Sequence, residues 1–226
     1  MNELSADNVR KAEPVAVEFE AAWTVFARTC GHFWAPEATF QAWFAHYLTS
    51  QFGIDRVAGE PIININGFPG SELKAKVGGG EVRPDAVVTR HPGIVMPHYA
   101  NRIGRASDES GLGLLKELAV ISELKVGATV QGGRSNKSLR RDVDKLLLLL
   151  EEYQATHDTE LPLAYVCVLD NHARRQHSGD EIKDYCETVA AGRGRFPTLP
   201  AVVSRAIKHP FVVERLFGAP CERCVL

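Results

Sequence analysis

The chain has 226 residues, 45% hydrophobic and 24% charged, an ordinary globular composition with enough length to bury a core without a disulfide or metal staple. Its formal net charge of −2 argues against a protein that coats itself in nucleic acid by bulk charge. Residues 1–126 carry 12 Lys and Arg against 15 Asp and Glu, and residues 127–226 carry 14 against 13, so a nucleic-acid surface would have to be a local patch.

Residues 1–13 are polar and mixed in charge, without the apolar core of a signal peptide. A helix over about 15–30 follows, with Phe19, Trp23 and Phe26 on one face. A second helix is expected from Pro36 to Gln51. Proline suits the first turn, Glu37 complements the positive end of the helix dipole, and Phe40, Phe44, Tyr47 and Leu48 form one apolar stripe that Gly53 ends. Three strands joined by short turns then read as an antiparallel meander: Pro61–Asn66, Glu72–Val77 and Val82–Thr89, the last bent at Pro84.

Residues 99–113 read as a mobile loop. Leu118 to Val126 is the most strand-like segment, and its run Leu118-Ala119-Val120-Ile121 suits a strand buried on both faces. A glycine-rich loop, 127–133, leads to a helix over 137–156 with Leu139, Val143, Leu146, Leu147 and Leu150 as its core stripe. A buried strand over 163–169 and a helix over 180–190 complete the core, and a helical then irregular extension is expected to about residue 217. The order describes one mixed α/β domain over 1–226, with its core at about 36–170. The longest aliphatic run, Leu146 to Leu150, is too short to span a bilayer, so a soluble, cytoplasmic protein with no membrane partner is expected.

Five cysteines at irregular spacing, Cys30, Cys167, Cys186, Cys221 and Cys224, do not describe a disulfide framework and suit a reducing interior. Cys221 and Cys224 form a CxxC with no second pair, which reads as a reduced tail rather than a zinc site. Trp23, Trp34 and Trp43 are expected in the core, and His172 and His177 on the surface.

The informative feature is a polar set in the wrong place. Glu123 and Lys125 end an otherwise buried strand, where ionised groups cost several kcal/mol unless paired or bound to an ion. Two residues apart in a strand, they project to the same face. Asp85 follows Pro84 at a strand bend that can re-aim its side chain. Brought together, two carboxylates and the Leu124 carbonyl could hold Mg²⁺. The ion would acidify a water and stabilise charge on a phosphate, and Lys125 could position or deprotonate that water. Separately, each residue also admits a plain reading, as an exposed ion pair at a strand end and a turn aspartate.

Arg83-Pro84-Asp85 followed by Ser122-Glu123-Leu124-Lys125 resembles the PD-(D/E)xK nuclease superfamily, in which the match is Pro84-Asp85, a gap, then Glu123-x-Lys125. The surroundings agree over roughly residues 36–170. The gap is longer than usual, an excess attributed to the loop at 99–113. The resemblance implies a restriction-endonuclease-like αβββαβα fold, a mixed central sheet flanked by helices. It further implies Mg²⁺-dependent hydrolysis of DNA with Mn²⁺ as a substitute ion, and it admits a homodimer. It also implies a further metal-ligand carboxylate from the first core helix, a place matched by Glu37 with Gln41 one turn later; Glu60 is the alternative donor.

Arg134, Lys137, Arg140, Arg141 and Lys145 make the densest basic stretch, expected on helix faces away from the leucines where they could meet a phosphate backbone. Asp142 and Asp144 lie among them and could equally make this a solvated, self-paired face. Two other functions fit the same residues: a non-catalytic nucleic-acid-binding or assembly module that retains the nuclease fold, and a metal-dependent hydrolase of smaller phosphate esters.

Overall fold

The structure, a computed structural model, describes residues 14–93, 111–127, 137–157, 160–171, 179–192 and 201–205. Arg134, His172, His177, Cys221, Cys224 and most of both predicted loops lie outside the described residues.

Helix α1 (Pro14–Cys30) buries Phe19, Trp23, Phe26 and Cys30, and helix α2 (Glu37–Phe52) buries Phe40, Phe44, Leu48 and Phe52, one residue per turn. Strands β1 (Val57–Gly59) and β2 (Ile63–Asn64) follow, then helix α3 (Ser71–Val77), β3 (Glu81–Val82) and β4 (Ala86–Thr89). A short α4 (Gly111–Lys116) leads into β5 (Leu118–Val126). The last described elements are α5 (Lys137–Thr156), β6 (Leu163–Asp170), α6 (Gly179–Gly192) and β7 (Ala201–Arg205).

The main sheet has the order β1-β4-β5-β6-β7. β1, β4 and β5 pair antiparallel, whereas β5, β6 and β7 run parallel, with α5 making the crossover from β5 to β6. Side-chain alternation divides the core in two. Val88, Val120, Leu124, Tyr165, Cys167 and Leu169 pack under α1 and α2, where Phe19 stacks on Tyr165 at 4.3 Å between centroids. Val87, Ile121, Val166 and Val168 pack with Val143, Leu146 and Leu147 of α5. The chain is therefore a mixed α/β protein with helices on both faces of its sheet. No helix among the described residues is long and apolar enough to cross a membrane.

Four expectations are corrected. First, residues 72–77 form a helix, so the three-stranded meander does not exist; β2 and β3 pair as a separate ribbon. Leu73 and Val77 satisfy an alternating and a helical period alike. Glu72 in the first turn and left-handed Gly78 (φ 74°), whose N–H bonds the Lys74 carbonyl at 2.9 Å, favour the helix. Second, the edge strand β1 falls on residues that carry no clear pattern and pairs with β4 instead. Third, residues 201–205 are a strand, not part of a helical extension, because Val202 and Val203 continue the parallel ladder beside Cys167 and Val168. Fourth, Trp23 is buried but Trp34 is 60% exposed, on the turn between α1 and α2.

Candidate active site

The site lies at the C-terminal end of β5. Ala86 pairs with Ser122, whose hydroxyl donates to the Ala86 carbonyl at 2.9 Å. Beyond that pair Pro84 has no N–H to exchange with Leu124. The ladder stops there, and the Asp85 carboxylate takes over: Oδ2 accepts the Leu124 N–H at 2.6 Å and Oδ1 accepts the Gln41 side-chain amide at 2.7 Å. Because N–H and C=O of one strand residue point to the same side, the Leu124 carbonyl faces this corner too. The chain just before β4 is tied further by Glu60, whose N–H bonds the Asp85 carbonyl at 3.2 Å from a left-handed backbone (φ 47°).

Glu123 and Lys125 project toward α5, on the face of Ile121 and Val166. There they meet residues of that helix that the sequence reading placed outward. Lys145 Nζ lies 2.6 Å from Glu123 Oε1, and Asp142 reaches Lys125 Nζ at 3.0 Å and Lys145 Nζ at 3.6 Å. From the first turn of α2, Glu37 reaches Lys125 at 3.5 Å. Glu37, Lys125, Asp142, Lys145 and Glu123 thus form one chain of alternating charge, with Asp85 beside it. Four carboxylates face two ammonium groups, a formal excess of two negative charges.

Burial makes that excess felt. The Glu123 side chain is 3% exposed. Desolvation, only partly offset by Lys145 and reinforced by Asp85 and Asp142, pushes its carboxyl up to about 8. Asp85 is raised by burial as well, against the Leu124 hydrogen bond and the Lys125 and Lys145 charges. Burial works against the Lys125 charge, but Asp142, Glu37 and Asp85 outweigh it and hold the ammonium above the ordinary lysine value. Beneath them the fully buried Cys167 thiol is pushed well up by desolvation and by the Asp85 and Glu123 charges.

Two buried oxygens, Glu123 Oε1 and Asp142 Oδ2, have ammonium groups as their partners, Lys145 at 2.6 Å and Lys125 at 3.0 Å. Carboxylate oxygens buried in a net negative pocket and met by side-chain ammonium groups are ones a hard divalent cation could take over, so the donor chemistry fits Mg²⁺. Asp85, Glu123, the Leu124 carbonyl and Glu37 or Asp142 are the groups that could hold it. As the side chains stand, lysines separate these carboxylates, and among the described residues no three His, Cys, Asp or Glu groups converge on one point.

The structure therefore brings Asp85, Glu123, Leu124, Lys125 and Glu37 together. Glu60 comes near through its backbone, and its side chain is exposed. The predicted basic stretch divides. Lys137, Arg140 and Arg141 are exposed, with Arg140 over the Tyr185 ring at 4.9 Å beside a cleft of about 300 Å³ between α5 and α6. Lys145 is not on that outer face; it is 17% exposed and turned inward to Glu123. Asp142 is the acidic group the sequence reading gave no role at the site. Its signal was spacing: Asp142 and Lys145 lie seven and four residues before buried Leu149, on one helical row. No family model, curated protein or solved structure matches this chain.

Proposed function

We propose that the chain is a Mg²⁺-dependent nuclease of the PD-(D/E)xK type that hydrolyses DNA phosphodiesters. The observation that carries this reading is the corner where Asp85 caps the Leu124 N–H beside the buried Glu123. Bound there, Mg²⁺ would acidify a water and offset charge on the phosphate.

The chain's own groups supply the rest. Gln41 and the Leu124 N–H fix both oxygens of Asp85, so its orientation is set before any ligand arrives. Lys125 retains its proton among three carboxylates, which suits electrostatic contact with a phosphate oxygen and positioning of water rather than proton abstraction. Lys137, Arg140 and Arg141 offer exposed positive charge on the helix that follows, where a DNA backbone would lie.

A second reading, a non-catalytic nucleic-acid-binding or assembly module on the same fold, is favoured by one feature: Lys125 and Lys145 already neutralise much of the acidic cluster. Plasmid, linear and branched DNA incubated with Mg²⁺, Mn²⁺ or EDTA separates the two. The nuclease reading expects cleavage of at least one substrate with either ion and none with EDTA. Binding without cleavage under every condition favours the module.

A further inference from the structure

Lys145 is unusual among the charged residues of α5. Its neighbours Val143 and Leu146 are fully buried and fix the helix against the sheet. Its ammonium reaches Glu123 Oε1 at 2.6 Å and Asp142, one turn earlier, at 3.6 Å. A structural ion pair at this depth normally completes the hydrogen bonding of its carboxylate. Here the donor beside Glu123 Oε1 is an ammonium at 2.6 Å. An ammonium on a four-carbon stem is a point charge with loose geometry. At 17% exposure Lys145 has an open side to move into. The Glu123–Lys145 contact therefore supplies charge without fixing geometry.

We propose that Lys145 is a displaceable internal cation. It holds the Glu123 carboxyl group while no divalent ion is bound, gives it up when the ion enters, and then presents its ammonium to the phosphate of the substrate. The inference rests on the nuclease reading and deepens it by giving α5 a direct part in the site. Asp142 keeps the released Lys145 nearby, because it contacts both lysines and holds Lys125 at 3.0 Å. Metal entry and lysine release then become one exchange, in which the ion takes the place of the ammonium at Glu123.

The test is calorimetric titration of the full chain with Mn²⁺ alone, for wild type, Lys145→Gln, Lys145→Arg and the exposed control Lys183→Gln on α6, with DNA cleavage measured in parallel. Removing the competitor should tighten Mn²⁺ binding by Lys145→Gln about tenfold, while cleavage falls because the phosphate loses a partner. Lys145→Arg, whose forked guanidinium grips a carboxylate more firmly, should bind Mn²⁺ more weakly than wild type. Lys183→Gln should bind Mn²⁺ and cut DNA as wild type does. Unchanged or weaker Mn²⁺ binding by Lys145→Gln, in a wild type that itself binds Mn²⁺ and cuts DNA, overturns the proposal and leaves the nuclease reading standing. Should Lys145→Gln fail to fold, Lys145→Arg decides, and wild-type Mn²⁺ affinity in that variant is the contrary result. A wild type that neither binds Mn²⁺ nor cuts removes the nuclease reading and the proposal with it.

Discussion

Asp85 accepts the Gln41 side-chain amide through Oδ1 at 2.7 Å while its Oδ2 accepts the Leu124 N–H, so helix α2 and strand β5 together aim one carboxylate. Gln41→Leu removes one of the two restraints without changing charge. The account expects its Mn²⁺ affinity to fall about tenfold, the usual cost of losing a group that orients a ligand, with little change in melting temperature. Wild-type Mn²⁺ affinity in this variant would mean that Gln41 does not orient a metal ligand.

The buried Glu123 makes stability depend on pH. Its folded-state value, about 8, lies above that of an ordinary glutamate. The folded protein therefore holds a proton that the unfolded chain releases. That contribution is fully present below the ordinary glutamate value and is lost as pH rises toward 8. Metal-free protein should melt at progressively lower temperature between pH 5 and pH 8.5. Glu123→Gln should flatten the slope, and Mg²⁺ should raise the wild-type melting temperature most at the alkaline end. A slope equal in both proteins would show that Glu123 does not titrate in this range.

Arg140 and Arg141 are exposed on α5, and the nuclease reading takes them to meet DNA. Changing both to Ala should weaken DNA binding and flatten the dependence of log affinity on log salt by roughly two phosphate contacts. Cleavage at saturating enzyme should persist, because neither arginine touches the acidic corner. Fluorescence anisotropy at two salt concentrations checks this. An unchanged salt slope would move the DNA path elsewhere.

Glu152 tests the scaffold apart from the site. It is buried on α5, and its Oε2 accepts the Gly70 N–H at 3.1 Å, at the start of α3. Glu152→Ala leaves that N–H without its partner and should cost about 1–3 kcal/mol, read by urea denaturation. Mn²⁺ affinity should not change. Gly70→Ala should act in the same direction, because a Cβ there would meet the Glu152 carboxylate and push it off the Gly70 N–H.

Strong, long patterns were legible in the sequence. The strand 118–126 and the helix 137–156 follow from an unbroken apolar run and a 3.6-residue stripe, and they place Glu123 and Lys125 on one face. The bend at Pro84 was legible because proline cannot donate to a ladder. Short elements were not. Residues 71–77 hold too few turns for one period to outweigh the other, and β1 takes its structure from the exposed edge of β4 rather than from its own residues. The pairing of Asp142 with Lys145 was legible from their spacing, but the inward direction of Lys145 was not. Charge type suggested an outer face, but five consecutive leucines at 146–150 already meant a helix covered on several sides, with little outer face at that level. Whether a charged residue faces inward is decided by the partner it meets, and Glu123 and Lys125 come from a different element.

The most direct test of the central claim is the rate of plasmid nicking in Mg²⁺ by wild type and by Asp85→Asn, at equal enzyme and matched fold as judged by circular dichroism. Asparagine keeps the shape of the Asp85 side chain and removes its charge. Wild type should nick the plasmid, EDTA should abolish nicking, and Asp85→Asn should lose at least about 100-fold. Its DNA affinity should be equal or higher, since a negative charge facing the phosphate has gone. Nicking by Asp85→Asn at the wild-type rate would contradict the account.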